Sequence, residues 1–249
     1  MKRRRNGQII PSEKHAVEMI RSIPSFQTVD EALQFSFDSF PSVSFNPPLR
    51  PILVKSQIYA VVANRNSVDS QLMRMQNDGK IRMLKLEDET DETLAIMRSE
   101  DYAASFRDVG VSDIDDTTVF ERFCNWTLND QRSLSVNKPT LLQQFTDKQI
   151  TRLIQGGALT IRSVDLWWIS SPCLGRFLKA YKAGQRALLA LVRRQKFKEL
   201  LLSSIATRGL GGSGTCRLGY LYHVLAHVGA GTLISVPTTS GPLIRLRTG

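Results

Sequence analysis

The chain has 249 residues, 42% of them hydrophobic, and a formal net charge of +10. That is length enough for one large domain or two to three small ones. No run of apolar residues is long enough for a membrane-spanning helix, and the basic start, Lys2-Arg3-Arg4-Arg5, is not followed by the apolar stretch of a secretory signal, so a membrane role is not expected.

The predicted elements fall into a repeating order. Residues 1–25 read as a flexible basic lead-in. Thr28 opens a helical pattern with apolar Ala32, Leu33, Phe35, Phe37 and Phe40, and four prolines in residues 41–51 end it. Residues 52–62 and 64–80 predict two more helices, the latter with Val68, Leu72 and Met75 on one stripe and an Asn-Asp-Gly stop. Residues 81–88 alternate at period 2, and 93–102 return across an acidic tip, which predicts a hairpin. The order then recurs. A helix over 117–130 is followed by an extended piece, Leu134–Pro139. A helix begins at Thr140, and another covers 146–158, capped at Thr146 or Asp147 and stopped by Gly156-Gly157. A hairpin then carries Trp167 and Trp168. In the third round, 174–208 is strongly helical with a break expected near Gly184 or Lys196. A short strand is expected at 215–217, a helix at 218–231, and a hairpin at 232–247 turning at Ser240-Gly241.

Three helices and a hairpin, three times over, predict a mainly α protein with small β-hairpins, an α+β class, built as three tandem winged-helix domains. The expected boundaries are 1–25 for the basic terminus, then 26–110, 111–173 and 174–249. In a winged helix the third helix commonly enters the major groove and the hairpin touches backbone or minor groove.

The charge is one-sided. Residues 171–249 hold 12 Lys+Arg and a single acid, Glu199, whereas residues 1–170 are nearly balanced. Such an asymmetry is the footprint of a polyanionic partner. Arg176, Lys179, Lys182, Arg186, Arg193, Arg194, Lys196 and Lys198 are interleaved with Phe177, Leu178, Tyr181, Leu188, Leu189 and Leu191. Arg217, Arg245 and Arg247 carry the charge on to the start of a helix and the last hairpin. These basic residues are the candidate nucleic-acid contacts. An anionic membrane would attract the same charge, but the apolar positions are needed by a domain core. Lys2, Arg3, Arg4 and Arg5 read as a nuclear-localisation signal or a phosphate-contacting arm.

Other motifs carry less. Gly209-Leu210-Gly211-Gly212-Ser213-Gly214 fits the G-x-G-x-x-G of nucleotide-binding loops. A kinase would need H-R-D and D-F-G after it, and neither tripeptide occurs anywhere. A dinucleotide fold would need a strand before it and an acid after it, yet no Asp or Glu follows Glu199. The stretch is expected to be a flexible loop. His223 and His227 stand four apart, but Val224 occupies the place of the zincin glutamate, so core-boundary residues or phosphate contacts are expected rather than a metal pair. The carboxylates of 87–92 and 113–116 read as solvated loops. Of Trp167 and Trp168, one indole is expected in the core and the other against a neighbouring domain or on a base. Cys124, Cys173 and Cys216 are widely spaced, which predicts reduced thiols, no disulfide framework and no zinc site.

Several stretches together resemble a known family. They are GRFLK (175–179), KFKELLLS (196–203), RLGYLYHV (217–224) and TTSGPLIRL (238–246) in the last third, and ITRLIQGGALTIRSVDLWWISSPCLGRF (150–177) in the middle. PILVKSQIYAVV (51–62), QLMRMQNDGKIRMLKL (71–86) and the terminal KRRR complete the set. The order is collinear over residues 28–249 with the family named serine/threonine-protein kinase 19; the glycine loop departs from the animal pattern. The resemblance implies a misnamed, non-enzymatic nuclear protein of tandem winged helices that binds double-stranded DNA and RNA. It also implies a place in transcription-coupled nucleotide excision repair, bridging repair and RNA polymerase II-associated proteins, with no cofactor and no metal. Two other readings stand beside it: an interaction scaffold with incidental DNA contact, and a kinase as the family's name says, which the missing motifs disfavour.

Overall fold

A computed structural model of the chain describes residues 23–86, 94–108, 114–130, 132–208 and 216–247. The Lys2–Arg5 run, the acidic tip of 87–92 and the glycine stretch of 209–215 lie outside them. About half of the described residues are helical, and the described strands form three small antiparallel sheets, an α+β architecture.

One order of elements occurs three times: helix, strand, helix, helix, strand, strand. The first set is α1 (Val29–Asp38), β1 (Leu53–Val54), α2 (Lys55–Val61), α3 (Arg65–Asn77), β2 (Ile81–Lys85) and β3 (Leu94–Arg98). A further helix, α4 (Ser99–Arg107), follows it. The second set is α5 (Ile114–Asn129), β4 (Ser135–Asn137), α6 (Lys138–Leu142), α7 (Asp147–Gln155), β5 (Leu159–Ser163) and β6 (Leu166–Ile169). The third is α8 (Leu174–Arg193), β7 (Glu199–Leu201), α9 (Leu202–Arg208), α10 (Tyr220–Gly229), β8 (Leu233–Val236) and β9 (Leu243–Leu246). In every sheet the short first strand pairs with the last, which stands in the middle. The registers that fix this are Leu53 opposite Ile96, Val136 opposite Trp167 and Leu200 opposite Ile244.

Local chemistry starts several of these helices where the sequence expects it. Thr28 caps α1 by accepting the Glu31 N–H at 3.3 Å. Asn64 caps α3, and Thr146 with Gln149 forms a capping box on α7. Other boundaries differ. Residues 52–62 contain a strand before the helix, and 93–102 is a strand that turns straight into α4. The Glu199–Leu201 stretch is β7 rather than helix, whereas Cys216 and Arg217 belong to no strand. β1 and β7 exist because a partner strand more than 40 residues further along the chain pairs with them, which no local period reports. The backbone of 114–116 is the start of α5, not a loop. Gly184 does not break α8, which runs unbroken from Leu174 to Arg193. It is a close-approach glycine: a Cβ there would sit 1.9 Å from His223 Nε2.

A single hydrophobic core runs through the first two sets and takes in Phe177, Tyr181, Tyr222 and Leu225 of the third. A smaller core, built on Leu188, Val192, Ile205, Val224 and Ile244, belongs to the third set. Two polar anchors join the first and second sets. Arg82, 1% exposed, donates to Ser133 O at 2.7 Å and Thr127 O at 3.2 Å. Tyr102 of α4 is fully buried, with its hydroxyl 3.1 Å from Thr127 Oγ1 and donating to Ser170 O at 3.3 Å. Trp167 and Trp168 are both half-buried, so the core indole expected of the pair is only partly enclosed. Trp167 packs on the core, and the Arg162 guanidinium covers the Trp168 ring at 4.1 Å. Cys124, Cys173 and Cys216 are free, and burial raises the Cys124 and Cys216 thiols to about 11.

Candidate nucleic-acid interface

The third set determines what a nucleic acid could meet. Its last helix, α10, is the counterpart of the helix that enters the major groove in the expected fold. Here that helix is buried. Tyr222, His223, Val224, Leu225, Ala226, His227 and Gly229 are all buried, and α10 packs along α2. The small residue Gly229 brings the backbones together: a Cβ on it would lie 1.6 Å from Ser56 O. Gln57 Nε2 donates to Tyr222 O at 3.2 Å, Tyr222 OH donates to Ile52 O at 2.8 Å, and the Arg65 guanidinium donates to Gly229 O at 2.6 Å. His223 stacks on Tyr181 with ring centroids 5.8 Å apart. Burial lowers its pKa to about 3, helped by His227, and lowers that of His227 to about 4, helped by Arg193. The histidines are therefore neutral interior groups, and the expectation of phosphate contacts from them is overturned. Desolvation is the reason: α8 packs over His223 through Tyr181 and Gly184, and Arg193 at the end of α8 is the charge that acts on His227.

Four of the candidate basic residues line the outer face of α8. At 100° per residue, Lys179, Lys182, Arg186 and Arg193 fall within about 60° of one another on α8, along about 21 Å of helix. All four are exposed. The buried positions Phe177, Tyr181, Gly184, Leu188 and Val192 occupy the opposite face. One helix thus serves the core with one stripe and presents cations with the other.

Arg176 flanks the stripe at its N-terminal end and donates to Pro47 O at 3.0 Å. With Lys179 and Arg217 it lines a notch of ≈ 290 Å³ against Phe45 and Asn46, and no acid takes part in that lining. The Arg217 guanidinium lies 5.9 Å from the Phe45 ring centre. The loop of residues 45–47, from the first set, was not legible as part of the site because nothing local marks it. At the other end of α8, Arg193, Arg194, Lys196 and Lys198 crowd the turn into β7 and are all exposed. The Leu246 N–H donates to Lys198 O at 3.0 Å, which places the last strand and Arg247 beside this turn. Arg245 differs from the rest: its Nε is 2.6 Å from Glu199 Oε2, so the one acid of the last third neutralises it. The notch and the turn lie at opposite ends of α8, with about 21 Å of helix between Lys179 and Arg193.

Sequence reasoning also passed over Phe197. It lies between Lys196 and Lys198 and is 69% exposed. The only local signal was an aromatic ring inside a run of cations. Among the described residues no group of three or more His, Cys, Asp or Glu side chains is placed to hold a metal, and no described helix is long and apolar enough to cross a membrane.

A sequence profile for the family described as inactive serine-threonine protein kinase 19 matches residues 25–246. The chain belongs to this family. Its similar relatives include proteins named winged helix repair factor 1. The mouse protein is 35% identical over 87% of this chain and 84% of its own length, the human one 35% over 83% and 81%, and the Xenopus laevis one 32% over 83% and 79%. The relatives' name specifies a winged helix, in agreement with the order of elements described above.

Proposed function

We propose that this chain is a non-enzymatic DNA-repair factor of three winged-helix domains, 26–110, 111–173 and 174–249, that grips nucleic-acid backbone through its third domain. The observation that carries this reading is the exposed cation stripe of α8, in a region of 79 residues with one acid, lying opposite the face that serves the core. Because α10 is buried, base reading by a recognition helix of this domain is blocked, so contacts go to phosphate. Weak sequence preference and steep salt dependence follow. Double-stranded DNA is the proposed ligand, with RNA as a second. The relatives' name supports repair as the setting. By family resemblance, the role is transcription-coupled nucleotide excision repair in the nucleus, bridging the stalled polymerase and its associated proteins to repair proteins, with Lys2–Arg5 as import signal.

The test is a duplex titration at several salt concentrations with the variant Arg193→Glu, Arg194→Glu, Lys196→Glu. All three side chains are exposed, so the fold is expected to survive. The expected result is a large loss of affinity and a salt slope reduced by about 0.9 for every phosphate contact removed. Unchanged binding overturns the reading.

A second reading, a scaffold acting through proteins, has one observation in its favour. A groove of ≈ 810 Å³ on the first set has an apolar lining of Leu33, Phe35, Phe37 and Met75, with Asp30, Glu31, Asp38 and Glu100 as well as Lys80 and Arg98 around it. It predicts that the same charge-reversed chain keeps all of its protein partners.

A further inference from the structure

Seven large hydrophobic side chains are exposed among the described residues, and Phe197 is the one aromatic ring in that group. It is not loose. The Lys198 N–H donates to Gln195 O at 3.0 Å, which closes a turn with Phe197 at its third position. Lys198 adopts the left-handed region, φ 53°, and its carbonyl accepts the Leu246 N–H at 3.0 Å. On the other side the Arg194 N–H donates to Ala190 O at 3.2 Å, tying the turn to the end of α8. The ring is therefore presented to solvent by backbone anchored to both a helix and a sheet.

Its surroundings are cationic. Arg193, Arg194, Lys196 and Lys198 are exposed around it, and the Lys196 ammonium lies 5.2 Å from the ring centre. The adjacent acid, Glu199, is engaged by Arg245. A protein partner covering this ring would have to desolvate the flanking Lys196 and Lys198, and lysine is depleted from protein interfaces. A nucleic acid satisfies both features, since phosphates meet the cations and a base offers a π-face to the ring. In an intact duplex that face is already covered by neighbouring bases. An unpaired base leaves it open.

We propose that Phe197 is a base-stacking platform that adds to the grip of the α8 surface on duplex backbone, so that nucleic acid with single-stranded or locally unpaired bases is bound more tightly than intact duplex. One face of the ring takes the Lys196 ammonium and the other takes the base, and the turn holds the ring in place before the base arrives. The proposal rests on the reading that the α8 surface binds nucleic acid.

The experiment uses the full chain and fluorescence anisotropy on three labelled probes of the same sequence: a single strand, an intact duplex and a duplex with a central unpaired bubble. Phe197→Ala is expected to lose about 5- to 100-fold on the single strand and the bubble, and to stay within about twofold on the intact duplex. Phe197→Tyr is expected to retain the preference. An equal loss on all three probes, or no loss on any, overturns the proposal. If Phe197→Ala has no effect while the Arg193/Arg194/Lys196 reversal abolishes binding, the stacking platform fails and the backbone-binding reading stands. If the reversal has no effect either, both fail. A change in self-association alone, read by sedimentation, would make Phe197 a protein contact and also overturn the proposal.

Discussion

The seam between α10 and α2 can be tested with one methyl group. In Gly229→Ala the new Cβ would lie 1.6 Å from Ser56 O, 2.6 Å from Ser56 C and 3.1 Å from Ala60 N. These are backbone atoms of α2, so no side-chain rotation relieves the clash, and α10 must lift away. Overpacking a well-packed contact costs about 1–3 kcal/mol. Lifting also stretches the Gln57–Tyr222 and Arg65–Gly229 hydrogen bonds, each worth roughly 0.5–1.5 kcal/mol, more for the charged one. Alanine's better helix propensity returns up to about 1 kcal/mol. With both hydrogen bonds weakened and not lost, the net expectation is a loss of about 3–4 kcal/mol, or a melting temperature lowered by roughly 6–16 °C for a chain of this size. Thermal unfolding followed by circular dichroism is the assay. Gly175→Ala is the control: Gly175 is exposed in the first turn of α8, a Cβ there would meet nothing within 4 Å, and the substitution should be neutral or up to about 1 kcal/mol stabilising. If Gly229→Ala melts within about 1 °C of the parent, the two helices are not in the contact described, and the burial argument against α10 as a groove-reading helix falls with it.

Two further outcomes follow from the same geometry. His223 and His227 have folded pKa values of about 3 and 4, below the ordinary imidazole value of 6.5. The unfolded chain therefore binds more protons between those values, and stability rises with pH across that window. Their contribution is complete above the unfolded imidazole pKa and is lost progressively as pH falls below it. Urea midpoints should thus drop between about pH 7 and pH 5, and a flat profile would mean that water reaches the imidazoles. At the wing, Glu199→Gln releases Arg245 from its 2.6 Å ion pair. Duplex affinity should then rise and the salt slope steepen by up to about 0.9, one phosphate contact; unchanged affinity in low salt would mean that Arg245 faces away from the nucleic acid.

Much of this protein is written locally. The Thr28, Asn64 and Thr146 caps, the Gly156-Gly157 stop and the alternation of 81–85 act over a few residues, so the chain announces most of its helices and all three hairpins without help. The asymmetry of charge is equally plain in the sequence, and the apolar period of α8 already assigns Lys179, Lys182, Arg186 and Arg193 to its outer face. The tertiary structure decided what depended on distant partners. Leu53–Val54 and Glu199–Leu201 become strands only because β3 and β9 reach them. Arg245 is taken up by Glu199 across a sheet, and the notch at Arg176 is closed by a loop over 120 residues away. The largest change concerns α10. Its sequence reads as an amphipathic helix with histidines at the boundary, yet α8 closes over His223 through Tyr181 and Gly184, and contact with α2 across about 165 residues covers the face of Tyr222 and Gly229. Short-range periodicity carries the preference for a helix and the identity of its apolar side; it carries no information about which distant surface will claim the remainder.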